Sequence, residues 1–289
     1  MWVLLTLMAA FMQAWRNAFQ SRLSREVGVV AVTLARFIFA APLAGCYLAA
    51  LYLWQPAPMP QVSSAAIGYV SGAALAQILA TALMVRLFKL QNYAVGAGLA
   101  KSEALVAAIL GMLFFGTQLS LLGWGGVLVG TAAVFLLSNK VSGRLSLGTL
   151  GLGLACGTSF ALTSLWVREA SLALALPFPH SAAWVLLAVI LLQCLLLLAY
   201  LLLFQPHQLL ALWQRWRLTL IISACSCLGS IGWFSAMSLT AVPYVKTLGQ
   251  VEVFFMMLVS RFFLREPVKR AELLGLVLIA LAAILVMWN

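Results

Sequence analysis

The chain consists almost entirely of apolar stretches, each about as long as a lipid bilayer is thick, separated by short polar breaks. A helix of roughly 20 apolar residues crosses the hydrocarbon core of a bilayer, which is about 30 Å thick. Only 8% of the 289 residues are charged and 65% are hydrophobic, whereas a soluble domain carries about 25% charged residues. The sequence therefore predicts a polytopic membrane protein and leaves no stretch for a soluble domain.

The polar breaks divide the chain into ten predicted spans. Each apolar run is too long and too uniform for the alternating strands of about ten residues that build a membrane β-barrel, so helices are predicted. The breaks contain turn-forming residues, as in QPAPMPQ at 55–61 and SNKVSGR at 138–144. The predicted spans are 2–20, 28–54, 62–87, 92–115, 119–138, 147–170, 180–204, 214–238, 243–264 and 271–288.

A repeated pattern divides the chain into two halves. The stretch SEALVAAILGMLFFGTQLSLLGWGG around Glu103 recurs in outline as VEVFFMMLVSRFFLREPVKRAELLG around Glu252. The two glutamates match at one fixed spacing, which indicates a duplication with copies at 1–143 and 144–289. Because each copy contains five spans, an odd number, the second copy enters the bilayer from the opposite face. The predicted fold is an all-α polytopic membrane protein, with ten transmembrane helices as two inverted five-helix repeats.

The basic residues of the loops support the inversion. Cytoplasmic loops collect Lys and Arg, and here the loops after odd-numbered spans are basic in both halves while the others are nearly bare. The basic residues in or beside the odd loops are Arg16, Arg22, Arg25, Arg86, Lys89, Lys140, Arg144, Arg215, Arg217, Arg261, Arg265, Lys269 and Arg270, and those on the even side are Arg168 and Lys246. This distribution places the odd loops in the cytoplasm and both termini outside.

Composition and motifs argue against several classes of function. No Gly-rich phosphate loop of the Walker type occurs, so transport is expected to use a gradient rather than ATP. The basic residues behind the formal charge of +11 lie at the ends of apolar runs, so nucleic acid is not an expected partner. The chain has no Asp, and its two His residues, His180 and His207, lie near loops. We therefore predict no catalytic residue, no metal site and no cofactor, and we do not expect an enzyme.

Several motifs carry a family resemblance. The first span ends near WRNAF, the second contains LARFIFAA, and AMSLTAVPY leads into the ninth. The stretches around Glu103 and Glu252 each run into a glycine-containing last helix. These motifs resemble those of the drug/metabolite transporter superfamily, specifically its EamA-type members. The resemblance covers nearly the whole chain and implies a ten-helix fold in two copies, a transport function, and a location in the bacterial inner membrane.

The chain departs from the family pattern at a few positions. Thr117 and Gln118 stand where the family usually has Gly-Glu, Arg16 stands in place of a glycine, and Ala104 and Val253 replace a proline. The family motif is a signature of the fold and says little about the cargo. EamA-type members are usually described with both termini in the cytoplasm, against the loop charges of this chain, so the orientation stays open.

Ionisable residues inside predicted spans cost roughly 2.5–3.5 kcal/mol each to insert and therefore need a role. Glu103 and Glu252 lie at equivalent central places in spans 4 and 9, which makes them candidates for an ammonium or proton site. Alternatively, each hydrogen-bonds a neighbouring helix or pairs with Arg36 or Lys101. Lys101 is a candidate partner for a substrate carboxylate or for a glutamate. For Arg36 a structural role is favoured, because the resemblance places an Arg there whatever the cargo.

Two geometric expectations concern the lysines. Lys101 and Glu103 are two residues apart, so on an α-helix they point about 200° apart and are not expected to form a simple pair. Lys246 begins span 9 close to Pro243, where a terminal lysine commonly extends to the membrane interface. Lys246 is also kept as a candidate for substrate binding or coupling.

Aromatic and amide side chains are further candidates to line a cavity between spans 1–4 and 6–9. For any single one, packing or an interfacial aromatic belt is the favoured alternative. As a group they indicate an amphiphilic pocket that suits a zwitterionic or aromatic metabolite. These candidates are Trp15, Asn17, Gln77, Tyr93, Trp166, Trp233, Tyr244 and Gln250.

The sequence thus predicts a secondary active transporter, an exporter of a small amphiphilic or zwitterionic, amino-acid-like metabolite that works by alternating access. The expected partners are a small-molecule substrate, the lipid bilayer and, for coupling, protons. The chain is expected to act as a monomer or a homodimer. Two alternatives stay open: a facilitative channel or uniporter, and a membrane partner subunit that does not itself transport. A channel gives unsaturable flux, whereas a carrier saturates and shows counter-transport.

Overall fold

The computed structural model describes residues 1–90, 100–142, 147–259, 261–262 and 272–287, and every regular element in them is a helix. The prediction of an all-α protein is confirmed for this part of the chain. The α-helices are α1 (Trp2–Ser24), α2 (Val29–Ala35), α3 (Ala40–Trp54), α4 (Ser64–Leu90), α5 (Glu103–Phe115), α6 (Leu121–Ser142), α7 (Leu147–Ala173), α8 (His180–Phe204), α9 (Pro206–Gln214), α10 (Trp216–Leu239), α11 (Val242–Leu248), α12 (Glu252–Val259) and α13 (Glu272–Met287). Two short 3-10 helices, Ala100–Ser102 and Gly249–Val251, directly precede α5 and α12.

Six helical stretches in the described residues are long and apolar enough to cross a membrane, and each overlaps a predicted span. The chain is therefore an integral, multi-pass membrane protein. The six stretches are Val29–Trp54, Ser64–Leu90, Leu147–Ala173, His180–Phe204, Trp216–Leu239 and Val242–Val259. Two shorter apolar helices cover Leu121–Ala133 and Val277–Met287. The total of ten spans stays a prediction.

The loop before the eighth predicted span contains a helix, α9, that the sequence analysis did not separate from its surroundings. Pro206 occupies its first turn, where the missing N–H of proline costs no helical hydrogen bond. Leu212 is buried while Trp213 is 72% exposed, so one side of α9 packs on the protein and the other faces outward. Nine residues are too few for a span, which makes α9 an interfacial element.

The second predicted span is interrupted between α2 and α3. The N–H of Phe37 bonds to the carbonyl of Leu34, three residues back, at 2.8 Å, which is a tighter winding than that of an α-helix. Pro42, in the first turn of α3, offers no N–H to the preceding turn. Ser223 on α10 bridges the break, because its hydroxyl accepts a hydrogen bond from the N–H of Phe39 at 3.2 Å and donates to the carbonyl of Ala35 at 2.7 Å. The regular α-helical hydrogen bonding is thus interrupted within this span.

The helices pack in close pairs: α1 against α10, α4 against α7, α6 against α13, and α3 against α8. Small residues let membrane helices approach closely. A Cβ added to Gly232 on α10 would lie 2.6 Å from the carbonyl oxygen of Leu5 on α1. A Cβ at Gly126 on α6 would lie equally close, 2.6 Å, to Val286 on α13. These glycines are therefore needed where the helices meet.

Three loops converge on one basic face of the protein. Glu26, after α1, forms an ion pair of 2.7 Å with Arg215, after α9. Lys89, near the end of α4, donates to the carbonyl of Val27 at 3.1 Å. The loops after the first, third and seventh predicted spans therefore lie together. Arg16, counted beside the first of these loops, lies inside α1, which continues beyond residue 20, and its side chain is buried, so it does not contribute to the basic face.

Candidate functional site

Four buried charged side chains meet where the two halves of the chain face each other. Lys101 forms a hydrogen-bonded ion pair with Glu252, and Lys246 forms an ion pair of 3.3 Å with Glu103. None of the four side chains is more than 7% exposed. Each half provides one lysine and one glutamate, and each lysine pairs with the glutamate of the other half. We call these four residues the ionic cluster.

Lys101 and Glu103 also approach each other, with Nζ and Oε1 3.8 Å apart. The expectation that they do not pair was wrong. It assumed an α-helix, whereas Lys101 lies in the 3-10 helix Ala100–Ser102 and Glu103 is the first residue of α5. Three residues per turn instead of 3.6 change the angle between the two side chains. The long lysine side chain then reaches both glutamates.

Lys246 does not extend to the membrane interface, so that expectation was also wrong. Its side chain on α11 is buried, and Nζ lies 4.6 Å from the ring centre of Trp233 on α10. An aromatic face stabilises a cation, and Glu103 supplies the opposite charge. Partners inside the bundle therefore replace the water that the lysine would find at the interface.

Helix α1 holds Glu252 from another side. Gln13 donates to Oε2 at 2.5 Å, and Asn17 donates to Oε1 at 2.9 Å. Arg16 in turn donates to Oδ1 of Asn17 at 2.7 Å. A buried carboxylate is costly unless it is hydrogen-bonded and paired with a charge, and the bonds from α1 together with Lys101 meet this demand.

Arg36 lies at the break between α2 and α3 and is buried. Nε donates to the hydroxyl of Ser226 at 3.1 Å, and Nη1 donates to that of Thr81 at 2.8 Å. The guanidinium carbon lies 5.2 Å from the ring centre of Phe37 and 5.9 Å from that of Phe160. Within the described residues its hydrogen-bond partners are neutral, so its charge has no direct carboxylate partner there.

A small cavity lies between the ionic cluster and Arg36. It encloses about 20 Å³, which is room for about one water molecule. The site is therefore closed to anything larger in this conformation. Its charged and amide walls are Gln13, Arg36, Gln77, Glu103 and Lys246, and its aromatic walls are Phe160, Trp233 and Phe234.

Most of the candidates from the sequence analysis meet at this site. Hydrogen bonds fix both amide side chains of the cavity wall: Gln77, a predicted candidate, accepts one from Gln193 at 2.7 Å, and Gln13 accepts one from Trp233 at 3.0 Å. Tyr93 lies outside the described residues. The predicted residues that line the cavity are Arg36, Gln77, Glu103, Trp233 and Lys246, and those that pack beside it are Asn17, Lys101 and Glu252.

Four other candidates lie elsewhere. Trp166 packs on a glycine of α4, and Tyr244 packs on a glycine of α6. Trp15 stacks on Phe19 with ring centres 5.8 Å apart. Gln250 is fully buried, and neither atom of its amide has a hydrogen-bond partner among the described residues. These four side chains pack between helices in the conformation described.

Gln13 and Arg16 belong to the site but were not proposed from the sequence as site residues. Their signal is a spacing: Gln13, Arg16, Asn17 and Gln20 recur at i, i+3, i+4 and i+7, which places them on one face of a helix. Such a polar stripe in an apolar run marks a face turned toward a protein interior. The hydroxyls of Thr81 and Ser226 had no such signal, because Ser and Thr are common in membrane helices.

The chemistry of the site is that of charge exchange. Its lysines and glutamates form ion pairs, and such groups can exchange one charged partner for another. Among the described residues no cluster of three or more His, Cys, Asp or Glu side chains is placed to hold a metal ion. Buried ionisable groups at the centre of a helical membrane protein mark a transport pathway.

A comparison with protein families also indicates a transporter. Residues 147–288 match the model of the EamA-like transporter family. Over this second half the chain matches the EamA-like transporter family, a branch of the drug/metabolite transporter superfamily, and there the resemblance noted in the sequence is confirmed. The protein is thus a membrane transporter of the drug/metabolite type.

The fold also has a counterpart among solved structures. One of them, described as the crystal structure of a protein, superposes with a TM-score of 0.72 at 16% identity and covers 99% of this chain and 97% of that chain. At this identity the likeness shows a shared fold alone. No curated protein matches the chain significantly by sequence.

Proposed function

We propose that the protein is a secondary active transporter that moves a small amphiphilic metabolite by alternating access. The observation that carries the proposal is the crossed pairing of the ionic cluster. Glu103 and Glu252 occupy equivalent places in the two copies, and each pairs with a lysine of the opposite copy. Ion pairs that bridge two halves link any relative movement of the halves to the binding of charge at their interface.

The packing of the helices supports the prediction of two inverted five-helix repeats. In the numbering of the ten predicted spans, span 3 packs on span 6, and span 8 packs on span 1. Spans 3 and 8 are counterparts in the two copies, and so are spans 1 and 6, so exchanging the copies turns one contact into the other. Span 2 packs on span 7 and span 5 on span 10, each on its own counterpart. A two-fold axis between the halves produces this pattern. Inverted-repeat transporters place their substrate site at that interface.

The energetics of buried charge supply a means of coupling. A buried glutamate that loses its lysine leaves an uncompensated charge, which costs about 3–5 kcal/mol. A proton on Glu103, or a substrate ammonium in place of Lys246, removes that cost. Spans 4 and 9 are then free to separate and widen the closed cavity. The conformation described is accordingly the occluded state of the proposed cycle.

The walls of the cavity suggest the class of cargo. Arg36 presents a guanidinium with neutral partners, and such a fork suits a carboxylate. Phe160 and Trp233 suit the apolar part of a substrate. Glu103 is available for an ammonium group once Lys246 turns away. A zwitterionic, amino-acid-like or aromatic metabolite satisfies these three requirements.

The remaining parts of the proposal are export from the cytoplasm, coupling to protons, and action as a monomer or homodimer in the bacterial inner membrane. Two buried carboxylates support proton coupling, because Asp and Glu form the proton relays of membrane pumps and transporters.

The test is the variant Glu103→Gln in proteoliposomes, with a panel of labelled amino acids and aromatic carboxylates as probes. We expect proton-driven uptake to fall to background while the protein stays folded, because an amide cannot exchange the proton or hold Lys246. Glu26→Gln is the matched control: it removes a half-exposed carboxylate on the basic face and should leave uptake unchanged. Full proton-driven uptake by Glu103→Gln would refute the assigned role. Unsaturable flux without counter-transport would indicate a channel. The absence of flux for every probe would indicate a partner subunit that does not itself transport.

A further inference from the structure

A second pocket lies at the surface, beside the basic face and apart from the ionic cluster. It encloses about 160 Å³ between the break that joins α2 to α3, helix α9 and the start of α10. Its walls are Ile38, Phe39, Leu209, Leu212, Trp213 and Trp216, together with Thr219. All but the last are apolar or aromatic, so the pocket suits a hydrocarbon group.

Thr219 is the polar exception. Its side chain is 2% exposed, and its hydroxyl has no hydrogen-bond partner among the described residues. A buried hydroxyl without a partner costs about 1–3 kcal/mol. A ligand that brings an acceptor into the pocket removes this cost. One acceptor beside an apolar chain is the chemistry of an ester carbonyl at the head of a fatty acyl chain.

One arginine side chain with no ion-pair partner among the described residues lies beside the pocket. The guanidinium carbon of Arg217 lies 5.5 Å from the ring centre of Trp216, a wall residue, whereas Arg215 pairs with Glu26. Both arginines are exposed. Trp213 and Trp216 are 72% and 46% exposed, as expected of tryptophans at the headgroup level of a bilayer. Each basic residue near that level attracts anionic lipid by about 1 kcal/mol.

We propose that this pocket binds an anionic phospholipid. An acyl chain occupies the apolar walls, an ester carbonyl accepts the hydrogen bond of Thr219, and the phosphate headgroup pairs with Arg217. Cavities of about this size hold a benzene-sized group, so the pocket takes a segment of the acyl chain. The bound lipid touches Ile38 and Phe39 at the break that carries Arg36. The proposal concerns lipid binding alone and holds whether or not the proposed transport function is correct.

The headgroup is tested on the purified full chain in neutral detergent, with dioleoyl phosphatidylglycerol and dioleoyl phosphatidylcholine as probes and native mass spectrometry as the readout. We expect phosphatidylglycerol to be retained about fivefold more tightly, because both lipids carry a phosphate but only phosphatidylglycerol has a net negative charge beside Arg217. Arg217→Gln should remove this preference. Arg22→Gln, at an exposed arginine outside the pocket, should preserve it. Equal retention of both lipids by the wild type, or loss of preference in Arg22→Gln, would overturn the proposal.

The hydroxyl is tested with ester-linked and ether-linked phosphatidylglycerol, since only the ester has the carbonyl acceptor. The wild type should bind the ester lipid several-fold more tightly, as the loss of one neutral hydrogen bond of about 1 kcal/mol implies. Thr219→Val should bind the two lipids equally. Equal binding of both lipids by the wild type would refute the role of Thr219, and this comparison needs no variant to fold.

Discussion

Burial separates the two kinds of ion pair in this protein. The Lys101–Glu252 pair is almost fully buried, whereas the Arg215–Glu26 pair has side chains 56% and 42% exposed. Removing one partner from a buried pair costs about 3–5 kcal/mol, because the other charge is left without compensation. An exposed pair is worth about 0–1 kcal/mol, since water replaces the missing partner. The two pairs should therefore respond very differently to the loss of their cation.

Lys101→Met should lower the thermal stability of the detergent-solubilised protein far more than Arg215→Gln does. The physical reason is the buried carboxylate of Glu252, which keeps its bonds from α1 but loses its counter-charge. The double variant Lys101→Met with Glu252→Gln should recover part of the loss, because the stranded charge is gone. The measurement is a double-mutant cycle of apparent melting temperatures. Equal losses in Lys101→Met and Arg215→Gln would show that burial does not set the strength of the pair.

The described elements around Glu103 and Glu252 have the same order in both halves. A 3-10 helix precedes α5 and another precedes α12, so Glu103 and Glu252 are each the first residue of an α-helix. The N-terminus of a helix carries unpaired N–H groups and a partial positive charge, which favours a carboxylate. Discontinuous helices that end at a central site are the usual construction of inverted-repeat transporters.

The contact between α1 and α10 depends on one glycine. A Cβ at Gly232 would lie 2.6 Å from the backbone carbonyl oxygen of Leu5, which cannot move unless α1 moves. A Cβ at Gly229, one turn earlier, would meet nothing nearer than Met12 at 3.5 Å, an ordinary contact. The same substitution at these two positions therefore separates crowding from a general effect of alanine.

Gly232→Ala should destabilise the protein by about 1–3 kcal/mol, the usual cost of overpacking, and should also lower transport, because α1 carries the amides that hold Glu252. Gly229→Ala should leave both properties close to wild type. The measurements are the apparent melting temperature and the uptake of whichever probe the wild type transports. Similar melting temperatures for the two variants would contradict the close approach of α1 and α10.

The loops that converge beside α9 predict the orientation of the protein in the membrane. Contacts among the loops after the first, third and seventh predicted spans gather basic residues on one face. The positive-inside rule assigns such a face to the cytoplasm. The stretch QPAPMPQ, between the second and third predicted spans, contains Met59, which is 74% exposed, and belongs to the opposite, bare side.

Membrane-impermeant maleimide should distinguish these faces in intact cells. In a background without the five native cysteines, a cysteine at Met59→Cys should be labelled from outside. A cysteine at Gln214→Cys, an exposed position at the end of α9, should be labelled only after the cells are permeabilised. The reverse labelling pattern would show that the basic face lies outside. The orientation usual for EamA-type members, with both termini in the cytoplasm, would then be correct, and the one predicted from the loop charges would be wrong.

Parts of this architecture follow from local properties of the chain. Hydropathy placed the spans, the repeat located Glu103 and Glu252, and the loop charges indicated a common basic face. The prediction that Lys101 does not pair with Glu103 failed because it assumed a regular α-helix. The prediction that Lys246 extends to the membrane interface failed because it assumed a lysine that faces water. The break near Arg36 was missed as well, since a single Pro42 inside a long apolar run does not by itself mark where a helix bends.

The sequence by itself determined that this protein lies in a membrane, roughly where six of its helices cross, and that Arg36, Lys101, Glu103 and Glu252 lie inside apolar runs, because the cost of placing a residue in hydrocarbon depends on that residue and its near neighbours. The tertiary structure alone decided which charges meet. Lys101 and Glu252 are 151 positions apart, and their contact depends on a short 3-10 turn and on the approach of distant helices. Such pairings depend on how the helices pack and not on local composition, which is why Lys101 could be named as one alternative partner for a glutamate but the crossed pattern of the two ion pairs could not be predicted.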